Sequence, residues 1–170
     1  MRNKIILAAA LFLAPLSAFA HVTLTENSAA PGAHYLAHFR VGHGCSGAPT
    51  TGLSIAIPDG VSGLKALDAP GWTVETAQAG GRVSAVTWKG GLLDAKTPGE
   101  FAVAMTLPSK AGPLVFAATQ TCTSSVESWS EIPVPGQKST HPAPVLYVGV
   151  APPKTDGMAP GMVMPPGSHM

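Results

Sequence analysis

Apolar and polar residues alternate along much of the chain that follows residue 20. In the segments 53–57 and 101–107 a large apolar residue occupies every second position, which places these side chains on one face of a β-strand. Shorter runs of the same kind predict further strands at 22–25, 35–41, 64–67, 72–76, 83–88, 113–121, 126–134 and 144–150. Eight to ten short strands without an amphipathic helix favour a β-sandwich, with a closed barrel as the alternative.

The composition agrees with this all-β pattern and excludes some classes of partner. The 170 residues include 17 prolines and 19 glycines, which disfavour long helices. Only 11% of the residues are charged, and the net charge is +1. A chain without a basic stripe is not expected to bind nucleic acid.

The first twenty residues have the features of an export signal. Arg2 and Lys4 precede an apolar run at 5–16, and Ala18-Phe19-Ala20 has the small-x-small pattern of a cleavage site. The apolar run is shorter than the roughly 20 residues that span a membrane. We therefore expect cleavage between Ala20 and His21, a periplasmic or secreted mature protein, and no membrane span in that mature form. An uncleaved anchor is the alternative.

The chain contains two cysteines, Cys45 and Cys122. In an exported protein an even number of cysteines predicts a disulfide, and a loop of this length gives about 4–5 kcal/mol of stabilisation in the chain-entropy account. A pair of thiolates that binds a metal is the alternative.

A change of composition marks the segment 151–170, which is rich in proline and glycine and has no periodicity. We expect a disordered tail after a single domain at 21–150. The thioethers of Met158, Met162 and Met164 are soft ligands, so the tail is a candidate second site, for Cu(I). Exposed methionines without a metal are the alternative, and the final Gly-Ser-His-Met resembles a remnant of cloning.

His21 is the most informative candidate ligand, because cleavage would make it the first residue. Its α-amine and its imidazole Nδ1 could then close a chelate ring, and nitrogen ligands of this kind suit Cu(II). An α-amine has an unperturbed pKa of about 7.7–8.0, so copper can displace its proton at neutral pH. The alternative is that His21 merely follows the cleavage site. The other histidines of the domain are read as structural or surface residues: His34, His38, His43 and His141.

Acidic and aromatic residues of the later strands are further candidates. Glu100 begins one predicted strand, and Glu127, Trp129 and Glu131 share one face of another if that segment is regular. A carboxylate would supply an oxygen ligand, and a tryptophan would cover the ion or make a cation–π contact. Core packing for the tryptophan and solvation for the glutamates are the alternatives.

Several short segments resemble the YcnI-like family of exported copper-binding proteins, and their order and spacing make the match specific over residues 21 to about 150. The segments are Ala20-His21-Val22-Thr23, His43-Gly44-Cys45 with Thr50-Thr51, Ile57-Pro58-Asp59-Gly60-Val61, Pro70-Gly71-Trp72, Val86-Thr87-Trp88, Gly99-Glu100-Phe101 and Trp129-Ser130-Glu131-Ile132-Pro133. The resemblance implies an immunoglobulin-like β-sandwich. It also implies a Cu(II) site with one N-terminal histidine, a glutamate and a tryptophan, which is a single-histidine form of the histidine brace.

This resemblance assigns the histidine role to His21 and the tryptophan role to Trp129. The glutamate role falls to Glu100, with Glu127 or Glu131 as its alternatives. Many such proteins end in a membrane anchor, whereas this chain ends in a methionine-rich tail.

The sequence therefore predicts a periplasmic copper-binding protein that acts as a metallochaperone or copper buffer and not as an enzyme. Its expected partners are the copper ion and either another periplasmic copper chaperone or a membrane copper transporter. Two alternatives remain. One is a metal-free interaction module. The other is a copper oxidative enzyme, which would need a second histidine in the brace.

Overall fold

The computed structural model describes residues 21–132, 134, 137 and 139–153, and within them the chain is built from twelve strands without a helix. The strands are β1 (Val22–Leu24), β2 (Ser28–Ala29), β3 (His34–Val41), β4 (Thr50–Ala56), β5 (Ser62–Ala66), β6 (Thr73–Ala79), β7 (Arg82–Leu93), β8 (Gly99–Thr106), β9 (Gly112–Val115), β10 (Ala118–Cys122), β11 (Val126–Trp129) and β12 (Val145–Val148). The predicted signal peptide at 1–20 and the three tail methionines lie outside the described residues.

The strands form three sheets. One has the order β1-β3-β8-β5, the second β11-β10-β4-β7-β6, and the third, smaller one β2-β12-β9. All pairings are antiparallel except that of β2 with β12. Because every sheet has two edge strands, the fold is an immunoglobulin-like β-sandwich and not the closed barrel of the alternative. No helix among the described residues is long and apolar enough to cross a membrane.

The alternating residues of β3, β4 and β8 fill the space between the two larger sheets. Phe39, Ile55 and Val103 are 0% exposed, as is Trp88 of β7, and all four belong to one continuous core. Phe39 and Phe116 meet edge to face, with ring centroids 5.4 Å apart. The period-two pattern of the sequence thus marks the buried face of these strands.

Cys45 and Cys122 form the predicted disulfide, with their Cα atoms 6.0 Å apart and 77 positions apart in sequence. It connects the loop between β3 and β4 to the end of β10. Since both sulfur atoms are bonded to each other, the alternative of a metal-binding thiolate pair is wrong.

Two of the predicted segments differ clearly from the observed strands. The segment 113–121 divides into β9 and β10. The segment 126–134 ends as a strand at Trp129, because its later apolar residues do not face the core. Ile132 and Val134 are 69% and 48% exposed.

Candidate metal centre at the sandwich edge

His21 and Trp129 lie together although they are 108 positions apart. His21 immediately precedes β1, which is an edge strand of the first sheet, and Trp129 ends β11, which is an edge strand of the second. Their ring centroids are 5.6 Å apart with a tilt of 48°. The two sheets therefore bring the predicted histidine and the predicted tryptophan into one cluster at the open edge of the sandwich.

The indole ring of Trp129 packs against two histidines. One is His21, and the other is His141, whose ring centroid is 5.0 Å from that of Trp129. The indole is 3% exposed, and its Nε1–H group has no hydrogen-bond partner within the part of the chain that the structure describes. Buried indole N–H groups usually find a partner, so this donor is a feature that core packing alone does not explain.

Glu127 is the glutamate that joins this cluster. It lies two residues before Trp129 on β11 and is therefore on the same, inward face of the strand. One carboxylate oxygen, Oε2, is 3.3 Å from His141 Nε2. The Glu127 side chain is 29% exposed, which leaves it half-buried beside the indole.

Glu131 positions the loop that carries His141. Its carboxylate accepts hydrogen bonds from the Ser139 hydroxyl and from the main-chain N–H groups of Thr140 and His141, the latter two at 3.0 and 3.1 Å. The bond from the Ser139 hydroxyl, followed by that from the main chain of His141, lowers the pKa of this carboxyl group. Glu131 thus acts on the cluster through His141.

Glu100 lies elsewhere on the fold. It is on β8 opposite Arg40 of β3, and Arg40 in turn pairs with Thr23 of β1. Its Oε1 is 2.6 Å from His38 Nδ1, and both side chains are substantially exposed, at 49% and 37%. They line a surface cavity of about 450 Å³ on the outward face of the first sheet. The carboxylate predicted first for the metal site is therefore bonded to a different histidine.

His21, Glu127, Trp129 and His141 are called the edge cluster below. Within the described residues no group of three or more His, Cys, Asp or Glu side chains is arranged to hold a metal ion. A chelate that uses a main-chain amine and one imidazole does not need such a group, because an N-terminal histidine would supply two nitrogen ligands by itself. The donors present are nitrogen and carboxylate oxygen, which suit Cu(II).

His141 is the member of the edge cluster that the sequence did not single out. It follows a segment rich in proline and glycine and precedes Pro142, so no strand periodicity assigns it to a face. Its place depends on the hydrogen bonds to Glu131, which are contacts between segments about ten residues apart that no local pattern reveals.

Comparison with known proteins agrees with this architecture. The family model described as a domain of unknown function, DUF1775, matches residues 21–148. A crystal structure from Nocardia farcinica with an immunoglobulin-like fold is 28% identical, with a TM-score of 0.67, and the match covers 76% of this chain and 99% of that one. The seventh ScaB type I cohesin of Pseudobacteroides cellulosolvens is 12% identical with a TM-score of 0.42, over 83% of this chain and 99% of that one. No curated protein matches.

Proposed function

This chain belongs to the DUF1775 family, and from that premise we propose that it is a periplasmic copper-binding protein of the YcnI-like kind, which buffers or delivers Cu(II). The observation that carries the proposal is the contact between His21 and Trp129, with ring centroids 5.6 Å apart. It joins the residue that would become the N-terminus to the aromatic residue that the sequence resemblance assigns to the same site.

Removal of the signal peptide creates the first part of the proposed site. Before cleavage the nitrogen of His21 belongs to an amide, which is a poor ligand. After cleavage the α-amine and Nδ1 of the same residue can together form a chelate. Copper is the cargo of this site, and binding releases the proton of the amine.

Glu127 is the glutamate that we propose for the site. It shares the inward face of β11 with Trp129, and its carboxylate already contacts His141 at 3.3 Å beside the indole. Glu100 is bonded to His38 at 2.6 Å, and Glu131 is surrounded by donors of the 139–141 loop. Of the three candidate carboxylates, Glu127 is the one on the same strand face as the tryptophan.

Release of the ion follows from the ligand preferences of copper. Nitrogen and oxygen ligands favour Cu(II), whereas thioethers favour Cu(I). A partner that reduces the bound ion would weaken its hold on the edge cluster, and the methionine-rich tail is a candidate acceptor for the reduced ion. Met158, Met162 and Met164 lie outside the described residues, so this part of the proposal comes from the sequence alone.

Copper titration of the processed protein tests the proposal. Protein that begins at His21 is titrated with Cu(II) against a chelator of known affinity, and its electron paramagnetic resonance spectrum is recorded. We expect one tight site with nitrogen ligands, and quenching of the fluorescence of Trp129 by the nearby ion. The Trp129→Phe variant identifies that fraction of the quenching, because Trp72 and Trp88 remain.

The matched control is the same protein with its α-amine acetylated. The acetyl group removes one nitrogen ligand and leaves every side chain in place, so the tight site should disappear. Equal affinity and equal spectra for the free and acetylated proteins would refute an N-terminal chelate and favour a metal-free interaction module.

A further inference from the structure

The strand β6 is an edge of the second sheet, on the side opposite to β11. It has seven residues, whereas the other edge strands of the two larger sheets, β1, β5 and β11, have three, five and four. Every residue of β6 is exposed except Val74, which is half-buried. Within the described residues β6 pairs with β7 alone, so one row of its main-chain N–H and C=O groups faces outward from the sheet.

Alternate residues of β6 contribute this outward row. The carbonyl oxygen of Ser84 on β7 accepts a hydrogen bond from the N–H of Ile57, which follows β4. Because alternate residues of a strand bond to opposite neighbours, Ser84 faces β4 and the next residue, Ala85, faces β6. Ala85 pairs with Ala77 in the register of β6 with β7. The residues of β6 whose main-chain groups point to the free edge are therefore Val74, Thr76 and Gln78.

The free edge of β6 lacks the usual protection against pairing with another chain. Edge strands are commonly protected by a lysine, a proline, a bulge or short length, and β5 carries Lys65 and has an interrupted register with β8. β6 contains neither lysine nor proline, and the extra residue at the register shift between Ala77 and Gln78 lies on β7. Its one charged residue, Glu75, already pairs with Lys89 of β7 at 2.7 Å. The free edge is therefore long and regular, and its charge is compensated.

The sequence of β6 is complementary to a second, antiparallel copy of itself. With a two-fold axis through Thr76, the strand pairs along its whole length and Thr76 lies opposite its own copy. Glu75 then lies opposite Ala77 of the second copy, so no charge faces a like charge. A shift that places Glu75 opposite its own copy would bring two carboxylates together, and a shift in the other direction would leave the first residues of the strand unpaired. The charge pattern thus selects one register.

We propose that β6 pairs with β6 of a second copy of this chain, so that the second sheets of two molecules form one continuous sheet. Val74, Thr76 and Gln78 of each strand would exchange about six main-chain hydrogen bonds. The contact is isologous, which is the symmetry of most dimers. Since β11 is at the far edge of the same sheet, the edge cluster of each molecule stays outside the contact, and the pairing does not depend on copper.

Sedimentation velocity of the processed, metal-free protein over a wide range of concentration tests the pairing. We expect a monomer–dimer equilibrium that moves toward the dimer as the concentration rises, because a contact through one strand is small. Thr76→Lys places two lysines opposite each other at the axis and should leave only the monomer. Ser128→Lys is the matched control, because Ser128 is an exposed residue of β11, and this variant should dimerise like the unchanged protein.

Cross-linking through an introduced cysteine tests the register. Residues directly opposite each other in an antiparallel pair have Cα atoms about 4.5–5.5 Å apart, which a disulfide can bridge. Thr76→Cys should therefore form a covalent dimer under mild oxidation. Ala77→Cys is the matched control on the same exposed strand, because its expected neighbour is Glu75 of the second copy, and it should remain largely monomeric.

Three results would overturn the inference. A protein that is monomeric at every concentration, and whose Thr76→Cys variant does not cross-link, would show that a second copy is not the partner of β6 and would point to a strand of a different protein. A dimer that persists in Thr76→Lys and is lost in Ser128→Lys would place the contact at β11. Equally fast cross-linking of Ala77→Cys and Thr76→Cys would refute the register and indicate random collision.

Discussion

Two histidine–glutamate pairs of this fold invite comparison, because they have similar chemistry in different surroundings. His38 and Glu100 lie on the outward face of the first sheet at 2.6 Å, and both are substantially exposed. His141 and Glu127 lie at the edge of the sandwich at 3.3 Å, against an indole that is 3% exposed. The outward pair has water on one side, whereas the edge pair has an aromatic wall and a second histidine, His21.

The surroundings decide what each pair can do. An exposed pair gains little from its attraction, because solvent screens it. At the edge cluster, the Nε1–H group of Trp129 is buried and has no hydrogen-bond partner among the described residues. A bound ion gains more from fixed ligands in such a site, since neither the protein nor the solvent has to be reorganised to receive it. Proximity of a histidine and a glutamate is therefore a weaker sign of a site than burial beside unsatisfied polar atoms.

Truncation of the Trp129 side chain should have the largest effect that distinguishes the two regions, and this effect is on the free energy of unfolding. Trp129→Ala removes a buried indole between the sheets and should lower the free energy of unfolding by about 3–5 kcal/mol. Leu36→Ala is the control on the outward face, where the side chain is 42% exposed, and should change it by no more than about 0.5 kcal/mol. Urea denaturation followed by circular dichroism measures both. Equal losses in the two variants would contradict the view that the edge cluster is part of the packed core.

Replacement of each glutamate by glutamine should have a smaller effect, and this effect is on copper affinity. Glu127→Gln removes the carboxylate next to Trp129, and we expect the affinity of the processed protein for Cu(II) to fall about tenfold, or about 1.4 kcal/mol. Glu100→Gln is the matched control, because it removes a carboxylate already bonded to His38. Competition with a chelator measures the two constants. A loss of copper affinity confined to Glu100→Gln would contradict the role proposed for Glu127. It would favour Glu100, the glutamate first assigned from the sequence resemblance.

The residues at the edge show which parts of the site a sequence can predict. His21 and Trp129 were predicted because each belongs to a short segment with recognisable neighbours. Their contact depends on two edge strands of different sheets, and only the tertiary fold creates it. The strands 50–56 and 99–106 could also be predicted from the sequence. One face of each strand is buried, so apolar and polar residues alternate along it.

The sequence could not identify which glutamate lies beside Trp129, and the reason is physical. Glu100, Glu127 and Glu131 all lie in or beside strands, and strand periodicity gives the face of a residue but not the sheet that it meets. Register supplies the missing information: Glu100 pairs with Arg40 in the first sheet, and Glu127 pairs with Gln120 in the second. His141 was missed because a loop, and not a periodic element, positions it.

Acid should produce the smallest effect, through Glu131. The hydrogen bond from Ser139 and those from the following main chain lower the pKa of this exposed carboxyl group in the folded protein. The stabilisation is therefore fully present above the pKa of the unfolded chain and is lost as the pH falls through the lowered, folded value. The loop should therefore release His141 only in acid, below the ordinary pKa range of a glutamate.

The amide resonance of Thr140 reports this release directly, because its N–H donates to Glu131 at 3.0 Å. Its chemical shift should titrate in acid, below the ordinary pKa range of a glutamate, in the unchanged protein, and the titration should vanish in Glu131→Gln. Glu75→Gln, which removes an exposed partner of Lys89 at 2.7 Å, should leave the Thr140 titration in place. If the Thr140 resonance titrates equally in Glu131→Gln, another carboxylate holds the loop, and the edge cluster does not owe the position of His141 to Glu131.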